Sequence, residues 1–355
     1  MINNYKVVCN TAAGRRRYMQ YLIPFIVSNN IVDRYDIWIN TTNKQDIEFF
    51  RILSKKFTKI NLVYQPDGIV NGNRSINAFY QQCIEEDTIY FKLDDDIIWL
   101  ESDAIEKMVT FRVDNPAYFI VSPLVINNAI CTYILQNTGK LNLNQYYQAK
   151  ADHEILWKNG NFAVELHEWF LKKNLINGAY NNLHCGIHPI AMNRFSINAI
   201  LWFGNEMKKF EGIVPGDDEE WLSVVKPSEL GITNCINGDA IVSHFAFYAQ
   251  RDLLDKCNIL EYYGTFLHKE WSKNESLSNI DKIVQDAMID VEKRKIEIEN
   301  MPAIYQEFTN KISLKKRIGL LKVPLVKLYA LGVIRNRLIN AFTKNKKNTF
   351  IFSNK

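Results

Sequence analysis

Short apolar runs alternate with amphipathic stretches through the first 125 residues. Tyr5-Lys-Val-Val-Cys9 predicts a short buried strand, and the apolar positions of Tyr18–Val27 predict a helix after it. Tyr35-Asp-Ile-Trp-Ile39 predicts a second strand, followed by a helix over Asp46–Lys56. Ile60–Tyr64 predicts a third strand. A Pro-Asp-Gly turn at 66–68 and the polar loop Asn71-Gly72-Asn73 then lead into a helix over Ser75–Glu85. The fourth strand, Thr88–Leu93, runs directly into Asp94-Asp95-Asp96. Asp103 followed by Glu106 fits a capping box that opens the next helix. Strands separated by helices of this length predict βαβ units and a largely parallel sheet.

From about 126 to 250 the pattern is mixed, rich in Asn and aromatic residues. Beyond 250 helices dominate. Ser278 is placed to cap a helix with Ile280, Val284, Ala287 and Val291 on one face, ending before Pro302. The expected organisation is an α/β half over residues 1–125, a second half of the same domain over 126–255, and a helical, basic C-terminal extension over 256–355.

Composition adds charge asymmetry to this picture. The 355 residues are 47% apolar and 23% charged, which excludes global disorder, a collagen-like chain and a small disulfide scaffold. Residues 311–355 hold 12 Lys and Arg and no acid, leaving 31 basic against 39 acidic residues before them. The six cysteines are scattered with no Cys-x-x-Cys pair, so reduced core thiols are expected rather than zinc or disulfides. The first residues lack a signal-peptide pattern and no apolar run reaches about 18 residues, which predicts a cytoplasmic protein. The interleaved basic and apolar residues of 311–355 suit an anionic membrane surface, giving a peripheral location at its inner face. No nucleic-acid partner is expected, because the body is acidic and the tail has few stacking residues.

The acidic triplet is the most informative chemical feature. In an extended stretch Asp94 and Asp96 project to one side, where two carboxylates suit manganese or magnesium that also binds phosphate oxygens. The same residues also read as a solvated acidic turn. Ligands of open α/β sheets sit beyond the carboxyl ends of the strands, which is where the triplet falls.

The polar loop Asn71–Ala78, a helix, and then Ile89-Tyr-Phe-Lys-Leu-Asp-Asp-Asp96 resemble the GT-A fold, nucleotide-sugar-dependent glycosyltransferases of the Asp-x-Asp type. The resemblance covers residues 5–125 in the order of elements and 185–250 more loosely. It implies a Rossmann-like, mostly parallel sheet flanked by helices. It also implies metal on Asp94 and Asp96, with Asp95 near the donor's ribose or sugar. Asp218, in Gly216-Asp217-Asp218-Glu219-Glu220, corresponds to the general base of the inverting enzymes, with Asp217 as the other choice. Acids after Pro-Gly are equally an ordinary helix start. By the same resemblance His244 is a third metal ligand, with His184 and His188 weaker candidates. Thr11, Arg15, Arg74 and Asn77 would face the nucleotide. Trp157, His167, Glu168, Trp169, Trp202 and Trp221 fall where such enzymes bind acceptor sugars.

Two departures stand out. Asn40-Thr41-Thr42-Asn43 replaces the acidic end usual for the second strand, and the Gln-x-x-Arg-Trp motif of processive synthases is absent at Gln250-Arg251-Asp252. The function implied is transfer of one sugar from a UDP-linked donor to a glycan or lipid-linked glycan. The alternatives are a nucleotidyltransferase making a nucleotide-sugar, for which Thr11-Ala-Ala-Gly-Arg15 is a partial match, and a non-catalytic glycan-binding or membrane scaffold protein.

Overall fold

The computed structural model describes residues 4–307, except for the side chains of Asn73, Arg74, Gln306 and Glu307. The basic segment 311–355, and the membrane contact expected of it, lie outside the described residues. Among those described, no helix is long and apolar enough to cross a membrane.

Nine strands form one mixed sheet: β1 (Lys6–Ala13), β2 (Arg34–Ile39), β3 (Ile60–Val63), β4 (Thr88–Leu93), β5 (Ile97–Leu100), β6 (Val121–Ile126), β7 (Ile187–Ile190), β8 (Ala199–Phe203) and β9 (Asn234–His244). Their spatial order is β3-β2-β1-β4-β8-β6-β9-β5, with β7 on β9. Pairing is parallel from β3 through β4, and again between β6 and β9. Strands β5, β7 and β8 are antiparallel to their neighbours. The α/β, Rossmann-like class expected from the sequence is the class observed.

Helices α1 (Arg16–Val27), α2 (Lys44–Lys56), α3 (Asn73–Tyr80), α4 (Ala104–Asp114), α5 (Ala129–Asn137) and α6 (Gly160–Trp169) connect or flank these strands. α1 packs on β5, and α4 packs on β6, β8 and β9. The later helices α7 (Arg251–Lys256), α8 (Ile259–Trp271), α9 (Glu275–Lys293) and α10 (Lys295–Asn300) turn back onto the first half. Thus α9 packs on α1 and α2, through Val284, Ala287 and Val291, which are buried as their spacing predicts. Ile69–Val70 pairs in parallel with Gln306–Glu307, which brings the end of the described chain beside the loop leading into α3.

Several boundaries differ from expectation for identifiable reasons. β1 runs four residues beyond Cys9 because its polar residues find partners inside the fold. Asn10 Nδ2 reaches Cys83 Sγ at 3.4 Å, and the Thr11 and Tyr35 hydroxyls lie 2.9 Å apart. Asp103 does not cap α4 with its side chain but pairs with Lys107 at 3.1 Å. Asn274, not Ser278, caps α9, accepting from Leu277 N.

The topology fixes where a ligand can sit. Leaving β1 the chain moves outward to β2 and β3, then returns to place β4 on the other side of β1. The switch in direction opens a crevice at the carboxyl ends of β1 and β4. Since β6 and β9 run parallel to β4, the ends of all four strands meet on this edge.

Candidate active site

β4 is buried at every position, yet it carries Lys92 among Ile89, Tyr90, Phe91 and Leu93. Residues two apart on a strand share a face, so Lys92 points the same way as Asp94. Its ammonium donates to Asp94 Oδ1 at 2.5 Å and to the Ile197 carbonyl at 2.9 Å. Burial favours the neutral amine, but Asp94 and Asp218 outweigh it and hold the Lys92 pKa above its ordinary value. Asn198 Nδ2 donates to the other oxygen of Asp94 at 3.2 Å, and Asn198 is itself held by Asn128 at 2.9 Å.

A tight turn between β4 and β5, closed by Ile97 N to Asp94 O at 3.1 Å, sends Asp95 and Asp96 towards the loop after β1. Asp95 Oδ2 accepts from Gly14 N at 2.9 Å, and its carboxylate takes the Arg15 fork, with Nε at 3.0 and 3.1 Å. Arg15 also reaches Asp96 at 3.0 Å, where Arg251 and the ring nitrogen of His244 each approach to 3.4 Å. Burial opposes ionisation of Asp96, but Arg15, His244 and Arg251 together hold its carboxyl well below the usual range. Burial pushes the Asp95 carboxyl up against the pull of Arg15, and the charge of Asp96 adds to that push. Arg15 in turn is held above its ordinary pKa by these two carboxylates, despite burial.

The second acid cluster divides by role. Asp217 caps the short helical turn Asp218–Glu220 by accepting from Glu220 N at 3.2 Å, and it pairs with Arg194 at 2.9 Å on the surface. Asp218 turns inward and accepts from the Tyr80 hydroxyl at 3.0 Å. Burial raises its pKa, against the attraction of Lys92 and the bond from Tyr80. Lys92 therefore feels two carboxylates that are 124 residues apart in sequence.

The other expected positions fall in different places. Thr11 is fully buried and spends its hydroxyl on Tyr35, so it has no surface for a nucleotide. Asn77 donates to Gly216 O at 3.0 Å and ties α3 to the loop bearing Asp218. The Arg74 side chain lies outside what is described. His184 bonds Glu101 at 3.0 Å and His188 bonds the Cys185 carbonyl, both away from the triplet. His167 is a core residue between Tyr263 and the Phe245 carbonyl, and burial pushes its pKa down to about 4. Trp202 is wholly buried and bonded to Cys83 O, Trp221 packs on Phe210, and Glu168 pairs with Lys172. Trp157 stands next to the loop after β9, against Phe247 and Tyr248.

The residues as placed do not fit a resident divalent cation. Asp94 is turned to Lys92 and Asn198, whereas Asp96 is turned to Arg15, Arg251 and His244, so the expected set of Asp94, Asp96 and His244 shares no common point of contact. Among the described residues, no three carboxylate, imidazole or thiol side chains are grouped to hold one ion. The chain turns after Asp94 rather than remaining extended, and Asp94 and Asp96 are held by different partners.

Sequence reasoning misses Lys92, Asn198 and Arg251. A lysine inside an otherwise apolar buried strand is a legible signal. Asn198 and Arg251 arrive from more than 100 residues downstream and no local pattern marks them.

The fold and this edge define an α/β scaffold with a polar site at the switch point. No family model and no curated protein matches the sequence. Among solved structures it is similar to a CMP:2-keto-3-deoxy-manno-octonic acid synthetase complexed with CTP. Identity there is 9% and the TM-score 0.39, covering 73% of this chain and 98% of that one. It is similar also to the 4-diphosphocytidyl-2C-methyl-D-erythritol synthase of Anaerococcus prevotii. That match has 10% identity and a TM-score of 0.37, over 74% and 96% of the two chains. The expected glycosyltransferase is corrected here: the similar solved structures are a synthetase and a synthase, not glycosyltransferases. Likeness this low carries no argument about the substrate of this chain.

Proposed function

We propose that the chain is a nucleotide-dependent transferase that binds a nucleoside triphosphate at the carboxyl ends of β1 and β4, and that its reaction is nucleotidyl transfer to a sugar. The observation that carries this reading is the Gly14-Arg15 turn. It places a guanidinium, with 30% of its side chain exposed, at the switch point, where it shares Asp96 with Arg251. Guanidinium forks match phosphate oxygens, and a triphosphate can take over Arg15 and Arg251 from the carboxylates that hold them.

The chemistry needs a proton acceptor. A sugar hydroxyl attacks the α-phosphorus, a new P–O bond forms, and the bond to the β-phosphate oxygen breaks to release pyrophosphate. Asp218 takes the hydroxyl proton as its carboxylate, and its raised pKa makes it a stronger base than an exposed aspartate. Arg15 and Arg251 meet the charge that develops on the departing pyrophosphate. No step of the reaction is assigned to a resident metal.

The test is pyrophosphate release from CTP, UTP, GTP and ATP, each with a panel of sugar phosphates and sugar acids. Sugar-dependent release from one nucleotide is expected. Release of a nucleoside diphosphate from a nucleotide-sugar, with no pyrophosphate from any triphosphate, would refute the reading.

A further inference from the structure

The segment 245–250 leaves the carboxyl end of β9 beside the acidic turn, where Phe245 N donates to the Asp96 carbonyl at 2.8 Å. Phe247 lies 4.7 Å from the His244 ring, and His244 touches Asp96. Trp157 packs against Phe247 at 5.7 Å between ring centroids and meets Tyr248 edge-on at 5.1 Å. These rings form a continuous row from the acidic turn outward to Tyr248, which is 69% exposed.

The row is built rather than incidental. Gln250 is wholly buried and uses both ends of its amide. Its oxygen accepts from Asn127 Nδ2 at 2.9 Å and from Phe247 N at 3.2 Å, and its nitrogen donates to the Leu156 carbonyl at 3.2 Å. One side chain therefore fixes the loop after β6, the loop after β9 and the segment carrying Trp157. Rings held this way lose little freedom when a ligand stacks on them.

We propose that Trp157, Phe247 and Tyr248 form the subsite for a sugar ring, the second substrate of the transfer. The proposal rests on the nucleotide-transfer reading. Aromatic faces pack well on the C–H faces of a pyranose, and the inner end of the row, at His244, meets the Asp96 carboxylate. The nucleotide's phosphates, taken up by Arg15 and Arg251, meet the same carboxylate, so the two substrates come together at Asp96.

The experiment uses the full chain. Saturation-transfer NMR is recorded with the methyl glycosides of glucose, galactose and N-acetylglucosamine. Calorimetric titrations with the four nucleoside triphosphates are run alongside, for wild type, Tyr248→Ala, Trp157→Ala and Trp157→Phe. Transfer to the ring protons of at least one glycoside is expected in wild type. It should fall at least about fivefold in both alanine variants and be retained in Trp157→Phe, with nucleotide affinity unchanged within about twofold. The subsite is overturned if no glycoside receives saturation, or if the alanine variants leave the signals intact. A loss of nucleotide affinity in Tyr248→Ala would assign the row to the base and overturn it equally. Absence of nucleotide binding in wild type would sink the transferase reading while the glycoside signals still judge the subsite.

Discussion

Replacing Lys92 with methionine keeps the length of the side chain and removes a cation that Asp94 and Asp218 share. The lysine side chain is 4% exposed and bonds Asp94 at 2.5 Å. Breaking a wholly buried pair by removing one partner costs about 3–5 kcal/mol. Asp94 keeps 32% of its side chain in solvent, which screens part of that loss, so about 2–3 kcal/mol is expected at pH 7. The pH dependence follows from Asp218, whose pKa is raised in the fold. Between its unfolded and folded values the native state binds more protons than the unfolded chain, so this group's contribution to stability grows as pH falls. Without Lys92 that elevation is larger. The raised pKa of Lys92 itself lies far above this window, so its contribution in wild type is constant from about pH 5 to 7. Urea unfolding at pH 7 and pH 5 should therefore show a deficit that narrows at pH 5, with the m-value unchanged. A deficit under about 0.5 kcal/mol at pH 7, or one that widens at pH 5, would refute the reasoning that Lys92 offsets the burial of Asp218 and pairs with Asp94.

Further outcomes follow from other contacts. Asp218→Asn should lower turnover by about 10²–10⁴-fold with nucleotide affinity unchanged, as steady-state rates and calorimetry would show. In wild type the rate should rise with pH through a midpoint above the ordinary aspartate value, because the base acts only when ionised and burial raises its pKa. At Gly204 an added Cβ would lie 2.0 Å from the Glu85 carbonyl oxygen, a backbone atom that cannot step aside. Gly204→Ala should therefore cost about 3 kcal/mol or more in urea unfolding.

Legibility in the sequence follows the locality of the physics. Thr88–Leu93 is legible to the residue because its apolar run is bounded by charge on both sides, and the acids at 94–96 mark its end. The end of β1 is not legible, because Asn10 and Thr11 look like loop residues, and only the packed fold supplies Cys83 and Tyr35 as their partners. Asp103 offers the right spacing for a capping box, but Lys107 one turn on competes for the same carboxylate. Two adjacent acids at 217 and 218 look alike in the sequence. Their division depends on Arg194, which draws Asp217 to the surface, and on Tyr80, which meets Asp218 inside, and no local pattern links either partner to them. Whether three adjacent acids gather around a cation from solution or around the protein's own cations is undecidable from spacing. It depends on where Arg15, Lys92 and Arg251 are carried by the sheet.

The central claim is that Arg15 holds a nucleotide's phosphates at the end of β1, and Arg15→Lys tests it most directly. Lysine keeps the positive charge and loses the fork that donates paired bonds. Titration calorimetry with CTP, UTP, GTP and ATP should show one nucleotide binding the wild-type chain, with affinity lowered at least about tenfold, roughly 1.4 kcal/mol, in Arg15→Lys. Equal affinity in the two proteins, or no binding of any of the four to wild type, would contradict the account.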